Sequence, residues 1–114
     1  MGLSRPLLRE REVPSIDGKD VRSVVVACEA GMGSSVLLTT QLRQRLAPYG
    51  VEVEHLAVNR LEGSPDVVVV NAGLQARARQ QAPESVIVAF NMFIGDPAFD
   101  RLEQAIRDGE TLAS

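Results

Sequence analysis

Four apolar runs punctuate the chain: Val24 to Cys28, Val51 to Val58, Val67 to Val70, and Val86 to Ala89. The first, third and fourth are continuous and rich in β-branched residues, as in strands buried on both faces of a parallel sheet. The second differs: Val51-Glu52-Val53-Glu54-His55 alternates, which predicts an edge strand with one wet face. Between the runs the apolar period lengthens. Leu38, Leu42 and Leu46 recur every fourth residue and stop before Pro48-Tyr49-Gly50, predicting a helix that packs onto the sheet. A shorter helix is expected from about Gly73 to Gln81, stopped by Pro83. A third should open with Asp96 as N-cap and Pro97 at the first helical position, burying Phe99, Leu102 and Ile106. The expected fold is a single three-layer α/β sandwich with a four-stranded, mainly parallel sheet and about three helices. Right-handed crossovers limit its strand orders. The segment from Asn59 to Pro65 is short for a crossover between parallel strands, which usually takes about a dozen residues, so the end and direction of the second strand stay open.

Residues 1–20 carry charge and turn formers with few apolar partners, and are read as a flexible arm or linker ahead of a domain spanning 21–110. The opening decapeptide lacks an apolar stretch of signal-peptide length, and Pro6 stands where a myristoylation motif needs Ser or Thr. A cytoplasmic protein is the expectation. At 114 residues with 45% apolar and 24% charged content, the chain has enough core to fold without staples. One cysteine and one histidine permit no internal disulfide and no tetrahedral zinc set, so neither a metal nor a cofactor is expected. A net charge of −3 with scattered arginines, and aromatic content of only 4%, argues against a nucleic-acid partner.

The chemistry concentrates in Cys28-Glu29-Ala30-Gly31-Met32-Gly33-Ser34-Ser35, between a buried strand and an amphipathic helix. Open α/β sheets bind ligands beyond the carboxyl ends of their strands, where a helix N-terminus offers free N–H groups to an anion. Gly31 and Gly33 lack Cβ atoms and are free to take positive φ, letting backbone N–H groups converge on an oxyanion. Ser34 and Ser35 add hydroxyls. Cys28, at the lip, is the candidate nucleophile, because positive dipole ends favour thiolate over thiol. Rival phosphate loops fail on single residues: there is no Gly-Lys-Ser/Thr, and Val36 stands where the dinucleotide fingerprint needs its third glycine. A cysteine phosphatase or arsenate reductase needs Arg where Ser34 stands; here nothing cationic is expected to clamp the phosphoryl group, and Glu29 is acidic.

The stretch Ala27 to Ser35 resembles the phosphocysteine loop of the enzyme IIB component of the bacterial sugar phosphotransferase system, mannitol type. The resemblance extends to the strand before the loop, to Pro65-Asp66-Val67-Val68-Val69-Val70, and to the segment from Asn91 to Phe99, covering roughly residues 21–108. It implies a flavodoxin-like, lactose/cellobiose-type IIB fold with a phosphatase-like loop. It further implies a protein-phosphocysteine sugar phosphotransferase: Cys28 accepts a phosphoryl group from a phosphohistidine on phosphorylated enzyme IIA and passes it to a sugar or sugar alcohol arriving through the membrane component IIC. Glu29, Ala30, Gly31, Met32, Gly33, Ser34 and Ser35 would form the cradle. Mannitol-type members commonly carry Asp where this chain has Glu29, an exchange that keeps the charge.

Two other readings of the same loop stay open: a small cysteine phosphatase or arsenate reductase, and a noncatalytic IIB-like regulatory module. Outside the loop, His55 has no acidic or thiol partner placed by sequence and is read as a half-exposed sheet residue rather than a phosphoacceptor. Asp96 is read as a helix cap rather than a general acid, since the following Pro97 already accounts for it. Met32 and the run from Phe90 to Ile94 divide between core packing and a patch for a docking partner.

Overall fold

The computed structural model describes residues 14–29 and 33–113; Ala30, Gly31 and Met32 of the predicted cradle lie outside the described residues. The elements run β1 (Ser15–Asp17), β2 (Ser23–Cys28), α1 (Gly33–Leu46), β3 (Glu52–Ala57), β4 (Val67–Asn71), α2 (Gln75–Gln81), β5 (Val86–Phe90), α3 (Pro97–Asp108) and β6 (Thr111–Ala113). The main sheet has four strands in the order β3-β2-β4-β5, every neighbour parallel. β3 is therefore the edge strand its alternation predicts.

Side chains two apart on a strand share a face, and the two faces feed separate cores. Val24, Val26, Val53, Val67, Val69 and Phe90 pack with Leu38, Leu42 and Leu46 of α1 and with Phe99, Leu102 and Ile106 of α3. Val25, Ala27, Val68, Val70 and Ile87 pack with Ala78 and Ala82 at α2. The result is the expected flavodoxin-like three-layer sandwich.

The β3–β4 link crosses over without an α-helix. A 3-10 turn at Val58–Arg60 drops Val58 and Leu61 into the α2-side core, so two apolar anchors do the work of a packed helix. Polar ties hold the rest. Gln81 Nε2 donates to the carbonyls of Asn59 and Leu61 at 3.3 and 3.4 Å, and Arg77 Nη1 donates to Asn59 Oδ1 at 2.8 Å. The direction left open by the sequence is parallel.

Residues 15–20, read from sequence as part of an arm, are built into the packed structure. Ser15–Asp17 pairs antiparallel with Thr111–Ala113 at the chain's other end. A 3-10 turn at Gly18–Asp20 then lies against α3, so close that a Cβ on Gly18 would overlap the carbonyl oxygen of Ala105. The sequence signal was missed because this three-residue ribbon carries only Ile16 and Leu112 toward the core.

Candidate functional site

β2 ends at Cys28 and α1 begins at Gly33, so the thiol stands at the carboxyl edge of the sheet next to the N-terminal end of a 14-residue helix. Cys28 is 4% exposed. Gly33 is the first helical residue of α1, so the expectation of left-handed backbone does not apply to it. Ser35, in the first turn, is buried, and its Oγ has no hydrogen-bond partner among the described residues. A buried hydroxyl left unpaired costs roughly 1–3 kcal/mol.

The β2–β3 register sets Val26 opposite His55 and Cys28 opposite Ala57. Cys28, Val26 and His55 thus share the α1-side face, and Cys28 Sγ lies 3.0 Å from His55 Nε2. This corrects the reading that gave His55 no thiol partner; its half-exposed character is as expected. The signal was present in parity. His55 falls in step with Val51 and Val53, the inward residues of the edge strand, and a right-handed crossover from β2 brings that strand alongside the cysteine. Arg43 of α1 fixes β3 in place, donating from Nε and Nη2 to the Val53 carbonyl at 3.0 and 2.8 Å.

On the other side of the strand ends, Cys28, Glu29, Ala57, Val58, Asn59 and Arg77 line a cavity of about 180 Å³. The loop supplies no cation, but Arg77 of α2 brings one to the cavity wall, oriented by its bond to Asn59. No local spacing motif links Arg77 to Cys28, which is why loop-by-loop reading missed it. Glu29, exposed, also borders a second hollow of about 340 Å³ with Asn71, Gly73, Leu74 and Phe93. A hollow of about 290 Å³ at the opposite, amino edge of the sheet is lined by Glu52, Glu54 and Glu62, charges that repel a phosphoryl group.

Asp96 caps α3 as expected and also braces the loop before it. Its Oδ1 accepts from Ala98 N at 2.8 Å, and its Oδ2 from Asn91 N and Met92 N at 2.7 and 3.0 Å. The backbone N–H groups of Ala98, Asn91 and Met92 hold its carboxyl below the usual carboxylate value. The loop's apolar residues divide. Phe90 is core, its ring 4.9 Å from Phe93 and 5.2 Å from Phe99, whereas Met92 and Ile94 are exposed. Val36 and Leu37, in the first turn of α1, are exposed at the same edge of the sheet. Met32, the other apolar candidate, lies outside the described residues.

Among the described residues no group of three or more His, Cys, Asp or Glu side chains is placed to hold a metal ion, and no helix is long and apolar enough to cross a membrane.

A four-stranded parallel sheet with a cysteine at the end of one strand, ahead of a helix, defines a class of small flavodoxin-like α/β proteins. Comparison with known families narrows the class. Residues 23–104 match the family described as "PTS system, Lactose/Cellobiose specific IIB subunit", and the chain belongs to that family. Among its relatives, the PTS system mannitol-specific EIICBA component of Vibrio cholerae is 37% identical over 89 residues, covering 76% of this chain and 14% of that protein. The PTS system mannitol-specific cryptic EIICB component of Escherichia coli K12 is 37% identical over 84 residues, covering 72% of this chain and 18% of that protein. The mannitol-specific EIICB component of Geobacillus stearothermophilus is 32% identical over 89 residues, 76% of this chain and 19% of its own. The match thus spans less than a fifth of each of these curated relatives.

Proposed function

We propose that this chain is a IIB-type phosphocarrier. Cys28 takes a phosphoryl group from a phosphorylated enzyme IIA and passes it to a sugar or sugar alcohol handled by a membrane component IIC. The observation that carries the reading is the position of Cys28: a thiol on the last residue of β2, ahead of the N-terminal end of α1. The backbone and hydroxyls of residues 29–35 form the phosphoryl cradle, and the buried Ser35 hydroxyl, without a partner among the described residues, supports that assignment. Exposed Val36, Leu37, Met92 and Ile94 rim the same edge and suit a partner protein that docks over the thiol. The mannitol-specific names of the relatives make mannitol the first substrate to try. A IIC partner would keep the domain at the membrane surface.

A carrier must bind its phosphoryl group firmly enough to keep it from water, yet release it to the next acceptor. Backbone N–H groups meet that requirement, whereas a guanidinium in the loop would stabilise bound phosphate or attack by water. Arg77 on the cavity wall gives the cysteine phosphatase reading its one favourable observation. Steady turnover of an aryl phosphate would support that reading. Stoichiometric labelling from phosphorylated IIA, with no aryl phosphate hydrolysis, supports the carrier.

A further inference from the structure

We propose that His55 is the general base of the phosphoryl-accepting step, taking the proton of the Cys28 thiol. The proposal rests on the phosphocarrier reading for the identity of the electrophile, though not for the pairing itself, which is a matter of geometry. Sγ and Nε2 are 3.0 Å apart, within the reach of proton transfer without rearrangement. The imidazole is positioned from two directions: the β2–β3 ladder fixes its strand against Val26, and Arg43 grips the Val53 carbonyl two residues upstream. Half-exposure leaves room to accept a proton while Cys28 stays sheltered. The charged groups around the pair are Glu29 after the thiol, Arg43 from α1 and Arg77 from α2, with Glu54 beside His55 on the opposite face of β3.

In the step itself, the S–H bond of Cys28 breaks, its proton goes to Nε2 of neutral His55, and its electron pair stays on sulfur. The thiolate attacks phosphorus. An S–P bond forms as the N–P bond of the donor phosphohistidine breaks, and that electron pair returns to the donor imidazole, which leaves as a neutral ring if its other nitrogen carries a proton. The His55 imidazolium then faces the phosphorylated sulfur. A thiol with a proton acceptor already in contact does not rely on the helix dipole alone for activation.

Alkylation of the free protein by iodoacetamide tests the pair without any partner. Near pH 7, His55→Gln and His55→Asn should each slow alkylation of Cys28 by about tenfold or more, because the amides bond the thiol but do not take its proton. Near pH 10 the rates should converge, since hydroxide then ionises the thiol unaided. Superimposable rates for wild type and both variants at pH 7 would overturn the proposal. Should the variants misfold, the chain's single histidine offers a second measurement by NMR. The Nε2 resonance of His55 should move between wild type and Cys28→Ala, because the thiol contacts that nitrogen, and superimposable resonances would overturn the proposal. Labelling from phosphorylated IIA separates the two claims. If wild type is labelled and His55→Gln is labelled equally fast, the base role fails and the carrier stands. If wild type takes no label while the alkylation difference holds, the carrier reading fails and the pair stands.

Discussion

Ser23 and Asp66 hold the starts of β2 and β4 together by exchanging hydrogen bonds. Asp66 N donates to Ser23 Oγ at 2.9 Å, and Asp66 Oδ2 accepts from Ser23 N at 3.1 Å and from Arg22 N at 2.7 Å. The exchange closes the helix-free β3–β4 crossover at its far end, where the two strands begin their ladder at Val24 and Val67. Asp66→Ala strands the part-buried N–H of Ser23 and takes the acceptor from the exposed N–H of Arg22, and should cost about 1–2 kcal/mol, against about 1 kcal/mol for Ser23→Ala. Urea unfolding of both single variants and the double variant should show coupling of about 0.5 kcal/mol or more.

Gly18 bears on whether the first strand belongs to the folded unit. Gly→Ala at a permissive site stabilises by about 0.4–1 kcal/mol through the unfolded chain. At Gly18 a Cβ would overlap the Ala105 carbonyl, so the sign should reverse to a loss of about 2 kcal/mol or more. Thermal unfolding of Gly18→Ala checks this, and a raised midpoint would mean the segment before Val21 does not pack as described.

Asp96 carries a pH signature. Its carboxyl is held below the ordinary value of 3.8 by three backbone N–H donors, so its contribution is complete above that value and is lost as pH falls through the lower folded value. Asp96→Ala should cost about 2 kcal/mol at neutral pH, from the lost cap and the two N–H groups left behind in the Asn91–Met92 turn. The wild-type advantage should shrink below about pH 4. Chemical denaturation of both proteins from neutral to acid pH measures the difference directly.

The exposed apolar rim gives a prediction that separates docking from folding. Leu37→Asp and Ile94→Asp change solvent-facing positions, Ile94 being 81% exposed, and should shift stability by no more than about 0.5 kcal/mol. Each should nonetheless slow phosphoryl uptake from IIA by about tenfold at limiting donor, because a charge is buried when the partner docks. Uptake at the wild-type rate by both variants would move the docking surface elsewhere.

The helices and sheet were legible because each rests on a local pattern. Leu38, Leu42 and Leu46 repeat every four residues, Asp96-Pro97 is a start signal, and the valine runs admit only a doubly covered sheet. The position of Cys28 at the end of a buried strand ahead of a helix was legible for a similar reason, since both elements follow from local pattern. What escaped depends on distant segments. The β1–β6 ribbon joins Ile16 to Leu112, Arg77 reaches the thiol's cavity only after α2 packs beneath the sheet, and His55 meets Cys28 across 27 positions. Of these, only His55 left a trace in the sequence, as the inward member of an alternating edge strand.

The most direct test of the account is where the phosphoryl group goes. The wild-type protein, incubated with phosphorylated enzyme IIA, should gain the mass of one phosphoryl group, and tandem mass spectrometry should locate it on Cys28. Cys28→Ser, with an unchanged circular dichroism spectrum, should gain none on the same timescale, because a serine hydroxyl ionises far less readily than a thiol even with an imidazole beside it. Label on His55 or any other residue of the wild-type protein, or labelling of Cys28→Ser at the wild-type rate, would contradict the assignment of Cys28 as the phosphoryl carrier.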